Sequence, residues 1–207
     1  MLEFDRLAHT YTNDGVIVPS VTDFVGILGD DVDEYIEDAM ERAADCGVTC
    51  HAVIEMALQG EDYTGEYPTA YQAHVNAIEQ FLSENTIEPI AIEQPIYSSV
   101  INVAGTPDLL CMFNGKLAVL DWKCVSSIAK TKVKAQLNGY NAAYNEIGVF
   151  PEKLYAIQFL PNGTYRLYPT AVGDMEFETC FNLYKLKNSK HPRGLLKKKC
   201  PDDSPAK

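Results

Sequence analysis

Within residues 105–123, GTPDLLCMFNGKLAVLDWK, two carboxylates and a lysine fall into a pattern that could do chemistry. Asn114-Gly115 between apolar runs is a strong signal for a two-residue hairpin turn. If those two residues form the loop, Phe113 faces Lys116, and counting back along both strands sets Asp108 against Asp121. Directly opposed residues have Cβ atoms about 4.5–5.5 Å apart. Lys123 lies two residues beyond Asp121 and projects from the same face. Carboxylates this close repel each other unless something positive sits between them. Oxygen ligands at that spacing suit a hard divalent cation such as Mg²⁺ or Mn²⁺. A lysine beside them can orient an attacking water or stabilise charge on a phosphate. Metal-assisted phosphodiester hydrolysis is the chemistry this set suggests. The alternative is a salt-bridged surface cluster. The apolar strands argue against it, because opposed acids on a buried sheet are costly without a ligand.

The elements that must position these groups follow from the flanking pattern. Residues 3–18 read as a hairpin turned at Asn13-Asp14-Gly15. Pro19-Ser20-Val21-Thr22 reads as a helix start, with Ser20 or Thr22 as N-cap. Helical spacing covers 33–58, interrupted near Gly47, and 68–84, opened by Pro68. Residues 90–98, 102–113 and 116–123 are strand-like and rich in β-branched residues. A helix fits 131–147, ended by Gly148 and Pro151. Strands fit 153–160 and 164–169, turned at Asn162-Gly163, and a last helix fits 174–187. This order predicts an α/β (α+β) fold with a central mixed sheet flanked by helices. A single domain is expected over residues 1–200, with its core at about 45–170, the N-terminal hairpin and helices in 1–44, and a tail at 201–207.

Charge is divided unevenly along the 207 residues, whose net charge is −12. Residues 1–100 carry Arg6 and Arg42 as their only basic residues against twenty acidic ones; residues 101–207 carry fifteen basic against nine acidic. This excludes holding nucleic acid by bulk positive charge and leaves a locally basic surface in the second half. No apolar run reaches membrane-spanning length. The start, MLEFDRLAHT, has no signal-peptide stretch, so a cytoplasmic protein is expected. The six cysteines then read as reduced thiols.

Pro107-Asp108 followed by Asp121-Trp122-Lys123 resembles the PD-(D/E)XK motif of the restriction-endonuclease-like nuclease superfamily. Upstream, Gly47-Val48-Thr49-Cys50-His51-Ala52-Val53-Ile54-Glu55 resembles the helix motif of RecB-type and phage recombination exonucleases. Downstream, Gln136 and Tyr140 resemble their QxxxY motif, and the αβββαβ order is similar too. The resemblance spans about residues 20–170. It implies that Asp108, Asp121 and the backbone carbonyl of Trp122 hold one or two Mg²⁺ (or Mn²⁺) ions and that Lys123 activates water. It also implies that His51 or Glu55, one turn apart on a helix, serves at or near the metal. Glu55 lies between Val53-Ile54 and Met56-Ala57, where an unpaired acid would be expensive. Gln136 and Tyr140 would contact the DNA backbone or order the site. Lys130, Lys132 and Lys134 lead into their helix and can hold phosphates, and Ser126 with Ser127 could donate to one.

The activity implied is a metal-dependent deoxyribonuclease, an exonuclease in phage or prophage DNA recombination or processing that leaves 5′-phosphate products. The partners implied are DNA with ends, a single-strand annealing or binding protein, and further copies of the chain; no membrane is implied. Two other readings remain: a structure-specific endonuclease or resolvase, and a non-catalytic DNA-binding module on the same fold. Lys185, Lys187, Lys190, Arg193, Lys197, Lys198 and Lys199 read as a second DNA contact or as a solubilising tail. Cys46, Cys50, Cys180 and Cys200 invite an iron–sulfur reading, but no CxxC occurs and the last two are twenty residues apart. The acids Asp30, Asp31, Asp33, Glu34, Glu37, Asp38 and Glu41 read as a solvated helix face. No P-loop or GxGxxG is present.

Overall fold

The structure is a computed structural model that describes residues 1–6, 8–29, 37–173 and 175–189, with 37–44 as backbone only. Asp30, Asp31, Asp33, Glu34, Lys190, Arg193, Lys197, Lys198, Lys199, Cys200 and the tail 201–207 lie outside the described residues.

The N-terminal segment is a three-stranded antiparallel sheet, one strand more than a hairpin: β1 (Leu2–Asp5), β2 (Thr10–Asn13) and β3 (Val16–Val18). Asp14 and Gly15 turn it with φ of 50° and 78°, the left-handed pair that a tight hairpin requires. Ser20 caps α1 (Val21–Val25): its hydroxyl accepts from the Asp23 N–H while the Asp23 carboxylate accepts from the Ser20 N–H. Helix α2 (Glu37–Gln59) runs straight through Gly47, where a break was expected. A helical glycine costs only about 1 kcal/mol, and a Cβ at Gly47 would meet open space. A short 3₁₀ turn at Thr69–Tyr71, entered from Pro68, leads into α3 (Gln72–Glu84).

Segment 90–98 is two strands, not one. β4 (Ile87–Ile92) belongs to the main sheet and β5 (Ile96–Ser98) pairs with β6 (Val103–Gly105) in a separate ribbon. The break falls at Glu93, whose φ is +43°, and at Pro95, which has no N–H for a ladder. Segment 102–113 divides likewise, β6 ending before Thr106-Pro107 and β7 (Leu109–Phe113) beginning after Asp108. β8 (Lys116–Lys123), β9 (Lys153–Phe159) and β10 (Tyr165–Thr170) complete a five-stranded sheet in the order β10-β9-β8-β7-β4. β8 and β9 are parallel, joined by the crossover helix α4 (Lys130–Glu146), and the other pairs are antiparallel. Pro89 is tolerated because β4 is the sheet edge, and a register shift between Pro89 and Ala91 bends that edge next to the site.

Both faces of the sheet are covered, as the near-continuous apolar runs of β7, β8 and β9 require. On one face Val119, Leu110 and Leu154 pack with α1, α4 and α5 (Glu176–Asn188). On the other, Leu109, Ala118, Leu120 and Trp122 pack with α2 and α3. Two glycines set how closely α4 can approach. A Cβ at Gly139 would lie 2.7 Å from Val21 and Phe177 atoms, and one at Gly105 would lie 2.7 Å from the Tyr140 ring. The mixed sheet between helix layers and the αβββαβ order are those expected. Among the described residues, no helix is long and apolar enough to cross a membrane.

Candidate active site

The hairpin register is the predicted one. Phe113 pairs with Lys116 and Leu109 with Leu120, across a turn in which Asn114 and Gly115 have φ of 48° and 77°. Asp108, one step before Leu109, therefore stands against Asp121, one step after Leu120. Both are buried, at 9% and 2% exposure. One Asp108 oxygen, Oδ2, accepts the backbone N–H of Trp122 at 2.6 Å. The Trp122 indole points to the opposite face of the sheet, held edge-on by Phe81, so that this stretch of backbone is anchored.

Lys123 lies where the period-two geometry placed it, with Nζ 2.5 Å from Asp121 Oδ2. It also donates to Gln136 Oε1 at 3.2 Å, and Gln136 Nε2 donates to the Tyr140 hydroxyl at 3.0 Å. Helix α4 thus brings the QxxxY pair inward to hold the lysine. Tyr140 is 4% exposed, with its hydroxyl turned inward to Gln136. Burial, with Asp121 and Asp108 nearby, holds its phenol well above the usual range.

His51 comes from α2, across the sheet end. Its Nδ1 is 3.6 Å from Asp108 Oδ1 and 3.7 Å from Glu93 Oε1. His51, Glu93 and Asp108 offer ligand atoms that all lie within 4.8 Å of one another. Glu93 was not anticipated: its one sequence signal was an acid inside an apolar β-type run, IAIEQPI. Its left-handed backbone turns the chain so that its N–H donates to the Asp108 carbonyl at 3.0 Å. Glu55 is placed differently from the expectation. It stands outside that trio, half-buried on the wall of the neighbouring pocket, where it accepts from Gln59 at 3.3 Å. The i, i+4 spacing put it on the His51 face of α2 but one turn further from the sheet end.

The residues expected to contact phosphate divide as well. Ser126, Ser127 and Lys130 are exposed; Ser127 and Lys132 line a pocket beside Lys123 and Gln136. Lys134 is ion-paired to Glu176 at 3.3 Å. Cys46 and Cys50 have sulfurs 3.9 Å apart in the α2 core, whereas Cys180 is buried on the other face of the sheet.

Charge within the site is unbalanced. Burial and the neighbouring Asp121 push the Asp108 carboxyl up to about 7. Burial pulls His51 down, but Asp108, Glu93 and Asp121 outweigh it and raise the imidazole to about 9. Lys123 follows the same rule: burial lowers it and the two aspartates raise it more. His51 holds Glu93 below the usual range against the effect of its burial. Asp121 Oδ2 is buried, with the Lys123 ammonium 2.5 Å away as its one close polar neighbour among the described residues. A buried carboxylate oxygen left this way, beside two further acids and an imidazole, is a donor set that fits a divalent cation.

A stability profile follows. Folded Asp108 and folded His51 each keep a proton to higher pH than the unfolded chain does, so the metal-free fold loses stability as pH rises, through about 7 for Asp108 and about 9 for His51. Glu93 acts oppositely, but its window lies in acid, where stability drops as pH falls. In EDTA the thermal midpoint is expected to fall between about pH 6 and pH 9, and Mg²⁺ to raise it most at the upper end, where the ligands are deprotonated. A midpoint that rises with pH in EDTA, or is indifferent to Mg²⁺, would contradict this.

No protein-family model and no curated protein matches the chain. Among solved structures it is similar to an alkaline exonuclease (LHK-Exo) from Laribacter hongkongensis, at 14% identity over 70% of this chain and 84% of that one, with a TM-score of 0.39. LHK-Exo in complex with dAMP is similar at 11% identity over 82% of this chain and 87% of that one, with a TM-score of 0.42. The likeness is slight, and the functional reading rests on the site itself. The element order and the mixed sheet are those expected, and Asp108, Asp121 and Lys123 lie together at the end of the β7–β8 hairpin.

Proposed function

We propose that the protein is a metal-dependent deoxyribonuclease, an exonuclease that hydrolyses phosphodiester bonds of DNA with ends. The observation that carries this reading is the opposed Asp108–Asp121 pair with Lys123 on the same face, closed by His51 and Glu93. His51, Glu93, Asp108, Asp121 and the Trp122 carbonyl would hold Mg²⁺ or Mn²⁺. The chemistry such an ion would supply is polarisation of the scissile phosphate and compensation of the charge on its oxygens.

The chain's own residues supply the rest. Lys123, kept as an ammonium by the two aspartates, donates hydrogen bonds rather than taking a proton. It orients the attacking water and stabilises the phosphate charge. Gln136 restricts the lysine to one direction, and Tyr140 restricts Gln136. The water oxygen bonds to phosphorus as the bond to the 3′ oxygen breaks; the water gives up a proton to bulk solvent and the departing oxygen takes one from it, leaving a 5′-phosphate and a 3′-hydroxyl. Ser127 and Lys132, in the pocket beside Lys123, and the exposed Ser126 and Lys130 would contact the strand. DNA recombination or processing in a phage or prophage is the setting we propose, supported by the motif resemblance alone.

The test is digestion of end-labelled linear DNA by wild type and Asp121→Ala, each with Mg²⁺ and with EDTA. Degradation is expected only for wild type with Mg²⁺, and closed circular DNA is expected to survive. Equal degradation by wild type and variant overturns the assignment, and cutting of circles overturns the exonuclease reading.

A further inference from the structure

The acidic half of the chain presents a problem that one side chain answers. An open pocket of about 370 Å³ adjoins the acid cluster, lined by Arg6, Gly47, Val48, His51, Glu55 and Glu93. Its walls come wholly from the first hundred residues, which contain no lysine and two arginines. A phosphate entering there meets two carboxylates. Arg6, at the end of β1, is the one basic side chain of the lining besides His51. Its Nη2 lies 3.2 Å from Glu93 Oε2, and the side chain is 63% exposed. Among the described residues, Glu93 is its one ion-pair partner. A guanidinium has five N–H donors in a rigid fork that suits phosphate oxygens. With one corner on Glu93, the remaining donors are open to the pocket.

We propose that Arg6 is a phosphate-binding residue of the site. It grips a backbone phosphate of the DNA strand next to the one being cleaved and lets that strand cross an otherwise repulsive wall. This rests on the nuclease reading above. It assigns DNA contact to the acidic half as well, so the strand is held from both sides of the acid cluster. Arg6 touches Glu93 too, so a contact with DNA must be separated from an effect exerted through that carboxylate.

The experiment is fluorescence anisotropy of a labelled oligonucleotide, with Ca²⁺ in place of Mg²⁺, across a range of salt concentrations. Wild type, Arg6→Ala and Arg6→Lys are compared, and Mn²⁺ affinity without DNA and thermal midpoint are measured for each. Arg6→Ala is expected to bind DNA about tenfold more weakly, with a salt slope smaller by about one ion. Arg6→Lys is expected to be intermediate with the slope retained, because the charge remains and the fork is lost. Mn²⁺ affinity is expected to be unchanged in both. Wild-type DNA binding and slope in Arg6→Ala overturn the proposal, as does a loss of Mn²⁺ affinity that parallels the loss of DNA affinity. Should Arg6→Ala not fold, Arg6→Lys decides: weaker binding at unchanged slope supports the proposal, and wild-type affinity overturns it. Wild-type protein that neither binds DNA in Ca²⁺ nor cleaves it in Mg²⁺ overturns the nuclease reading and Arg6 with it; binding and cleavage by wild type alongside an indifferent Arg6→Ala overturn Arg6 alone.

Discussion

Replacing Lys123 with alanine is expected to slow DNA cleavage by about 100- to 1,000-fold, the range lost when one preorganised hydrogen-bond donor aimed at developing charge is removed. Binding of the oligonucleotide in Ca²⁺ should change far less. The reason lies in where the ammonium sits: 2.5 Å from Asp121 Oδ2 and 3.2 Å from Gln136 Oε1, held on one side by charge and on the other by the α4 relay. A group held so firmly contributes mainly to the transition state, where phosphate charge and water orientation matter most. Removing it also leaves the buried Asp121 without its nearby cation, so the metal-free variant should have a lower thermal midpoint and recover part of it with Mg²⁺. Single-turnover cleavage at saturating enzyme separates the two effects, because folded fraction and rate are read independently. Cleavage by Lys123→Ala at the wild-type rate would refute the role.

Glu93→Gln is expected to weaken Mn²⁺ binding by about tenfold to a hundredfold or more, while Glu55→Gln leaves it nearly unchanged. Glu93 places a carboxylate oxygen within 4.8 Å of the His51 and Asp108 ligand atoms; Glu55 is on the same helix face as His51 but outside that group. The substitution keeps shape and hydrogen-bonding capacity and removes the charge, so the readout is metal affinity by calorimetric titration rather than fold. Activity should fall with it and be partly restored at high Mn²⁺. Equal losses in the two variants, or a larger one in Glu55→Gln, would return a ligand role to Glu55.

The contrast between these two glutamates shows what local spacing can and cannot tell. Asn114-Gly115 admits one register, and a register fixes which residues oppose across a hairpin, so Asp108, Asp121 and Lys123 were legible from 19 residues of sequence. Gln136 and Tyr140 were legible as a pair for the same reason: one helical turn is a local geometry. Glu93 was not, because its place depends on a bulged edge strand, a left-handed φ and the approach of α2 from across the sheet. Arg6 was equally silent, since a turn after β1 carries no periodicity. The extra strand in the N-terminal sheet and the splits at Glu93 and Thr106-Pro107 were missed because alternation continues through them while the hydrogen-bond partner changes.

By itself, then, the sequence determined the hairpin, its two opposed acids, the lysine on their face and the glutamine–tyrosine pair, together with the uneven charge of the two halves. Each follows from interactions between residues near in the chain. Tertiary structure alone decided that α2 crosses to the sheet end with His51 rather than Glu55 leading, that Glu93 completes the trio, and that Arg6 reaches the same mouth from the acidic half. Those are contacts between segments separated by tens of residues, set by how two helix layers cover the faces of one twisted sheet. No local period encodes such a contact, because it depends on the packing of the whole core.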